Sequence, residues 1–158
     1  MRGKAVWRGI DGLVDAVCIV ACAILVVVSF AGVIFRYVLN DSLVWSEELA
    51  RYLFIWIIFL GAAIGVRQGA HIALDIFVAG LPVRIERGLL WIERVAIFVF
   101  ALMILVPGRR LVEIGMSNLS PALEIPMGLV YAAPVVSALL MISYLFRPQP
   151  ERPARDPT

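Results

Sequence analysis

Leu49-Ala50-Arg51-Tyr52-Leu53-Phe54-Ile55-Trp56-Ile57-Ile58-Phe59-Leu60-Gly61-Ala62-Ala63-Ile64-Gly65-Val66 carries one charge, Arg51, close to its start. The hydrocarbon core of a bilayer is crossed by about 20 predominantly apolar residues in an α-helix, because only a helix or a closed barrel satisfies its own backbone there. The run is too continuous for a barrel strand, in which apolar and polar residues alternate. It reads as a membrane-spanning helix.

Working outward, the same pattern occurs three more times: about Leu13 to Phe35, about Leu89 to Val106, and about Ile125 to Phe146. The first contains Asp15 near its start, the third opens on Glu93 and Arg94, and the fourth has no charge. The composition agrees: 62% of the 158 residues are hydrophobic, 16% are charged, and the mean hydropathy is +0.95. The charges cluster between the runs and mark boundaries instead of coating a globular surface. The expected fold is an all-α integral membrane protein with four transmembrane helices, forming a single membrane domain over residues 1–146.

The stretch Ile72 to Leu81 is apolar but too short to cross, so it is expected to lie in the interface on the cytoplasmic side before Pro82 turns the chain. The segment 147–158 carries Pro148, Pro150, Pro153 and Pro157 among charges. With no apolar face to bury, it is expected to be disordered. At the other end, Arg2, Lys4 and Arg8 precede an apolar run as in a secretory signal, yet the run continues to Phe35, well beyond the 7 to 15 residues or so of a cleavable signal. The first span is read as uncleaved.

Orientation follows from Lys and Arg in the short loops. Ten of them (Arg2, Lys4, Arg8, Arg67, Arg84, Arg87, Arg94, Arg147, Arg152, Arg155) fall on one side of a four-span arrangement, and four (Arg36, Arg51, Arg109, Arg110) on the other. Both termini are therefore expected in the cytoplasm.

A net charge of +2, with no basic stripe interleaved with aromatics, excludes a nucleic-acid partner. Cys18 and Cys22 both lie inside the first span without further soft ligands, which removes a disulfide framework and a metal site. No cofactor is expected. In the first helix Asp11, Asp15, Cys18, Cys22, Leu25, Ser29, Gly32 and Arg36 follow one another at alternating spacings of three and four, forming a small, weakly polar stripe on which another helix can pack. Trp45-Ser46-Glu47-Glu48 opens the second helix with acids three and four residues before Arg51, a spacing that allows an ion pair. Neither a nucleophile nor a histidine accompanies these acids, so no catalytic site is read here.

Gly61 and Gly65 repeat at a spacing of four, with Gly69 continuing the series, as in closely packed membrane helices. His71, the only histidine, stands between Arg67 and Asp75 in the cytoplasmic loop and reads as a hydrogen-bonded loop residue. Pro126 suits a first helical turn, and Pro134, three residues after Tyr131, is expected to kink the fourth helix and free the carbonyl of Val130.

Taken in order, these motifs resemble the small membrane subunit of tripartite ATP-independent periplasmic transporters, the DctQ-like family. The resemblance runs from about Val33 to Val135. It rests on Phe35-Arg36-Tyr37, Asn40-Asp41-Ser42, Trp45-Ser46-Glu47-Glu48 with Ala50-Arg51-Tyr52, Gly61-Ala62-Ala63, Arg67 with Gly69, His71, Ile72 and Asp75, Leu81-Pro82, Ala122-Leu123, Ile125-Pro126, Tyr131 and Pro134. It implies a bacterial inner-membrane subunit that scaffolds and anchors a large multi-span permease subunit (DctM-like). A periplasmic substrate-binding protein (DctP-like) would deliver an organic anion, a carboxylate, for ion-coupled uptake. Two other classes compete: a small membrane enzyme, which would need redox cysteines outside the membrane, and a self-assembling channel, favoured only by the glycine-spaced face of the second helix.

Overall fold

The computed structural model describes residues 2–69 and 83–147. Four helices occur among them: α1 (Arg2–Tyr37), α2 (Val44–Gln68), α3 (Val83–Met116) and α4 (Gly128–Leu145). All four are long and apolar enough to cross a membrane. The interfacial stretch expected over Ile72 to Leu81, with His71 and Asp75, lies outside the described residues, as does the tail beyond Arg147.

The helices run further than their apolar cores. α1 has 36 residues, about 54 Å at 1.5 Å per residue, against a hydrocarbon thickness of about 30 Å. α3 does not stop near Val106 but continues through Pro107 to Met116. Packing keeps it helical there. A Cβ on Gly108 would stand 2.7 Å from Val135, and one on Gly115 would stand 2.6 Å from the Tyr131 ring and 2.7 Å from the Gly128 nitrogen. Only glycine lets the backbones of α3 and α4 approach this closely. The helix bond lost at Pro107 is offset by that contact.

Extensive packing joins α1 to α2, α2 to α4, and α4 to α3. Among the described residues the four helices form a row in the order α1, α2, α4, α3, and no comparable packing of α3 on α1 closes it. Buried Val14, Ala21 and Val28, with half-buried Trp7, Asp11, Cys18, Leu25, Gly32 and Phe35, mark the seam of α1. Their alternating spacings of four and three are those of a left-handed, small-angle helix crossing. The seam shares Asp11, Cys18, Leu25 and Gly32 with the stripe read from the sequence but is rotated away from it: Cys22, Ser29 and Arg36 are exposed. Weak polarity singled out one edge of α1, whereas the contact is filled by valines of the right shape.

Two further contacts fix the row. Gly32 lies under Ser46, whose Oγ would be 2.9 Å from a Cβ there, and Ser46 Oγ donates to the Leu43 carbonyl at 2.7 Å where α2 begins. In mid-membrane, Ser137 Oγ of α4 donates to the Phe59 carbonyl of α2 at 2.5 Å. Toward the other end, Ala63, Val66, Ala101, Ala138, Met141 and Tyr144 form one buried cluster of α2, α3 and α4. Gly69 ends α2 in the left-handed region with φ 60°, a geometry that a residue with a Cβ rarely adopts.

Candidate functional site

The polar side chains collect at the two ends of the row. At the end carrying the α1–α2 and α3–α4 connections, Glu48 projects from the first turns of α2 into the loop between α3 and α4. One carboxylate oxygen accepts the backbone N–H of Ala122 at 2.8 Å and of Leu123 at 3.2 Å, and the other accepts the Tyr52 hydroxyl. The Tyr52 hydroxyl also lies 3.2 Å from the Met127 sulfur.

The loop is shaped to present those two N–H groups. Ser120 N–H donates to the Ile125 carbonyl at 2.9 Å, Glu124 N–H to the Ser120 carbonyl at 3.2 Å, and Met127 N–H to the Asn118 carbonyl at 2.8 Å. Glu124 adopts φ 53° to close the turn. Glu48 and Ser120 are both buried. A carboxylate that accepts two backbone N–H groups makes stronger bonds than a neutral acceptor, so Glu48 latches the α3–α4 loop to α2.

Its neighbour Glu47 faces elsewhere. It pairs with Arg36 at the end of α1, and Arg36 reaches Ser42 at 3.4 Å. Consecutive residues on a helix point about 100° apart, which sends the two acids to opposite neighbours. The ion pair expected between Arg51 and Glu47 or Glu48 is therefore not formed. Arg51 is exposed and makes no ion pair or hydrogen bond among the described residues.

At the other end, Arg67 closes α2 and is largely buried. Its guanidinium donates to Asp15 at 2.6 Å and to the Asp11 backbone carbonyl at 3.2 Å, and lies 3.8 Å from the Asp11 carboxylate. Asp11 also accepts from Arg147 at 2.6 Å, and Arg147 lies over the Trp7 ring, 5.6 Å from its centroid. Trp7 in turn meets Tyr144 at 6.3 Å. Two acids and two arginines thus compensate one another and tie α1, α2 and the end of α4 together.

The other sequence-derived candidates stand apart from these clusters. Trp45 is partly exposed at the start of α2. Gly61 and Gly65 have open space where a Cβ would be, so the close packing expected of them is not made among the described residues; Gly32, Gly108, Gly115 and Gly128 supply it. Pro126 lies just before α4, opposite Leu119 in an isolated bridge. Tyr131 packs on Gly115, and Pro134 is inside α4. Ser120, Tyr144 and Arg147 carry no site signal of their own in the sequence, whereas Asp11 and Asp15 read there as part of a packing stripe and Tyr52 as part of the family motif, and the placement of Arg67 and Arg147 on the same side as the two acids was visible. Among the described residues no three His, Cys, Asp or Glu side chains come together as a metal site.

Comparison with known proteins gives this arrangement a family. Residues 25–147 match the family model described as tripartite ATP-independent periplasmic (TRAP) transporters, DctQ component. The chain is 28% identical over 136 residues to a Haemophilus influenzae protein assigned as a TRAP transporter small permease, covering 86% of this chain and 84% of that one. It is 36% identical over 107 residues to the C4-dicarboxylate TRAP transporter small permease protein DctQ of Rhodobacter capsulatus, covering 66% and 47%. It is also 31% identical over 127 residues to the isethionate TRAP transporter permease protein DctMQ of Oleidesulfovibrio alaskensis, covering 75% of this chain but 20% of that much longer one. With four apolar helices and a family match over most of its length, the chain belongs to the DctQ-type small permease subunits of TRAP transporters.

Proposed function

We propose that this chain is the non-catalytic scaffold of its transporter: it anchors a large permease subunit in the bacterial inner membrane, with both of its own termini in the cytoplasm. The large subunit would take up an organic anion, delivered by a periplasmic binding protein, at the expense of an ion gradient. The observation that carries this reading is how the polar groups are used. Glu48 holds a loop, Arg67 and Arg147 are matched to Asp15 and Asp11, and Ser137 joins two helices. These groups tie helices to one another instead of lining a path through the membrane.

The partner class is supported by the isethionate relative, in which the matching stretch is part of one longer permease chain. The substrates named for these two relatives are a dicarboxylate and a sulfonate, so the common chemistry is an organic anion, broader than the carboxylate implied by the resemblance. Co-expression with the large subunit, followed by purification through a tag on this chain, tests the reading. The large subunit is expected to co-purify, and liposomes holding both, with the binding protein added, should take up anion while liposomes holding this chain alone do not. Recovery of this chain alone, or ion conductance from it alone, would overturn the scaffold reading.

A further inference from the structure

Two polar atoms of the cluster around Arg67 are shut off from solvent and have no hydrogen-bond partner among the described residues: the Tyr144 hydroxyl and Asp11 Oδ1. Tyr144 is only 2% exposed, in the last turn of α4, and its hydroxyl lies close to the Asp11 carboxylate and the Arg67 guanidinium without bonding to either. Tyr52, also buried, shows the contrast: its hydroxyl donates to Glu48. Buried polar groups are matched almost without exception, so an unmatched pair facing one place calls for a partner there.

The neighbouring atoms are already engaged. Asp11 Oδ2 accepts from Arg147 at 2.6 Å, and Arg67 Nη2 donates to Asp15 at 2.6 Å. Arg67 Nη1 donates to the Asp11 backbone carbonyl at 3.2 Å and stands 3.8 Å from Asp11 Oδ1, too far for a direct bond but a distance at which water bridges polar groups. Nη1 carries two N–H groups and so has one left to give. One acceptor, Asp11 Oδ1, and two donors, Tyr144 O–H and Arg67 Nη1–H, therefore converge. Charge decides what they hold. A cation would stand against Arg67 in a cluster whose two acids are already matched by two arginines, and an anion would stand against Asp11. A small neutral molecule that accepts two hydrogen bonds and donates one fits, and about three bonds is what a buried water makes. Water has a short way in: Arg67 and Tyr144 are each one residue from the end of their helix, and the Asp15 side chain beside Arg67 is 42% exposed.

We propose that Asp11, Arg67 and Tyr144 form a binding site for one structural water molecule, which accepts from the Tyr144 hydroxyl and from Arg67 Nη1 and donates to Asp11 Oδ1. Direct side-chain bonds in this cluster tie α1 to α2 and to Arg147 beyond the end of α4. The water adds the hydroxyl of α4 itself and makes this end of the row a joint of three helices.

The test uses the full chain with ¹³C-labelled tyrosine in liposomes, where magic-angle-spinning NMR measures how fast magnetisation passes from water to the Cζ of each tyrosine. The Tyr144 signal is identified by its loss in Tyr144→Phe. Tyr52, buried with its hydroxyl on Glu48, and Tyr37, 77% exposed, are the internal references. Transfer to Tyr144 is expected to be at least three-fold faster than to Tyr52 and slower than to Tyr37, and the Tyr144 signal should not move when sodium is replaced by choline. A Tyr144 rate no faster than that of Tyr52 means that the hydroxyl bonds directly to protein and overturns the water site. A rate equal to that of Tyr37 means that bulk solvent reaches the hydroxyl, and a signal that moves with sodium means that a cation sits there; either result overturns it as well.

Discussion

Glu48 and Ala122, 74 positions apart, are joined by a 2.8 Å hydrogen bond from the Ala122 backbone N–H to the Glu48 carboxylate. The same oxygen takes the N–H of Leu123, so one side chain of α2 serves two donors of the α3–α4 loop. Glu48→Ala leaves both donors without an acceptor in a half-buried place, whereas Glu48→Gln keeps an amide oxygen in reach. The thermal midpoint in detergent should fall for both, more for alanine, and limited proteolysis should cut between Ser117 and Met127 faster in the alanine variant. Equal behaviour of the two variants and the wild type would contradict the latch.

The two ion-pair sites should differ in worth. Arg67 and Asp15 meet at 2.6 Å with the arginine only 13% exposed, while Arg36 and Glu47 are both about half exposed. Double-mutant cycles on thermal or denaturant stability should give a coupling of about 1–2 kcal/mol for Arg67 and Asp15 and under about 1 kcal/mol for Arg36 and Glu47. Raising the salt concentration should weaken the second more than the first. Reversal of this order would mean that the Arg67 cluster is not the tie between α1 and α2.

Glycine substitutions separate packing inside the chain from packing outside it. Gly115→Ala forces a methyl group against the Tyr131 ring and the Gly128 backbone and should cost about 1–3 kcal/mol of stability. Gly61→Ala meets nothing and should leave the isolated chain within about 1 kcal/mol of wild type. Thermal unfolding of the two purified variants reads the difference directly.

Ser137→Ala removes the hydroxyl that joins α4 to the Phe59 carbonyl in mid-membrane. Interhelical hydrogen bonds in membranes contribute about 0.6 kcal/mol on average, because helices apart in the bilayer find other partners. A loss under about 1 kcal/mol is expected, smaller than that of Gly115→Ala.

Topology has its own test. A reporter active only in the periplasm, fused after Ser117, should be active, and the same reporter fused after Arg147 should be inactive. The opposite pattern would overturn the orientation drawn from ten basic residues against four.

The cluster around Arg67 was half legible in the sequence. Asp11 and Asp15 at the start of one span, Arg67 at the end of the next and Arg147 after the last lie on one side in any four-span arrangement, so charge alone brings them to the same level. What could not be read was which would pair. The acids before Arg51 show why: their spacing permits an ion pair, but Glu47 and Glu48 point about 100° apart and each finds a better partner on another element. A choice between partners depends on where the neighbouring elements stand, and spacing along one helix does not contain that.

By itself the sequence determined that there are four spans, about where they lie, and which family the chain resembles, because in a bilayer a sufficiently long apolar stretch has no alternative to a helix. The row of helices, the rotation of the α1 seam away from its weakly polar stripe, the glycines at Gly108, Gly115 and Gly128 that bring α3 onto α4, and the open space at Gly61 and Gly65 were decided only by the tertiary structure. The physical reason is common to all of these. Lipid is as apolar as a helix surface, so hydropathy places a helix in the membrane but leaves its rotation and neighbours free, and those are settled by shape and a few hydrogen bonds between helices.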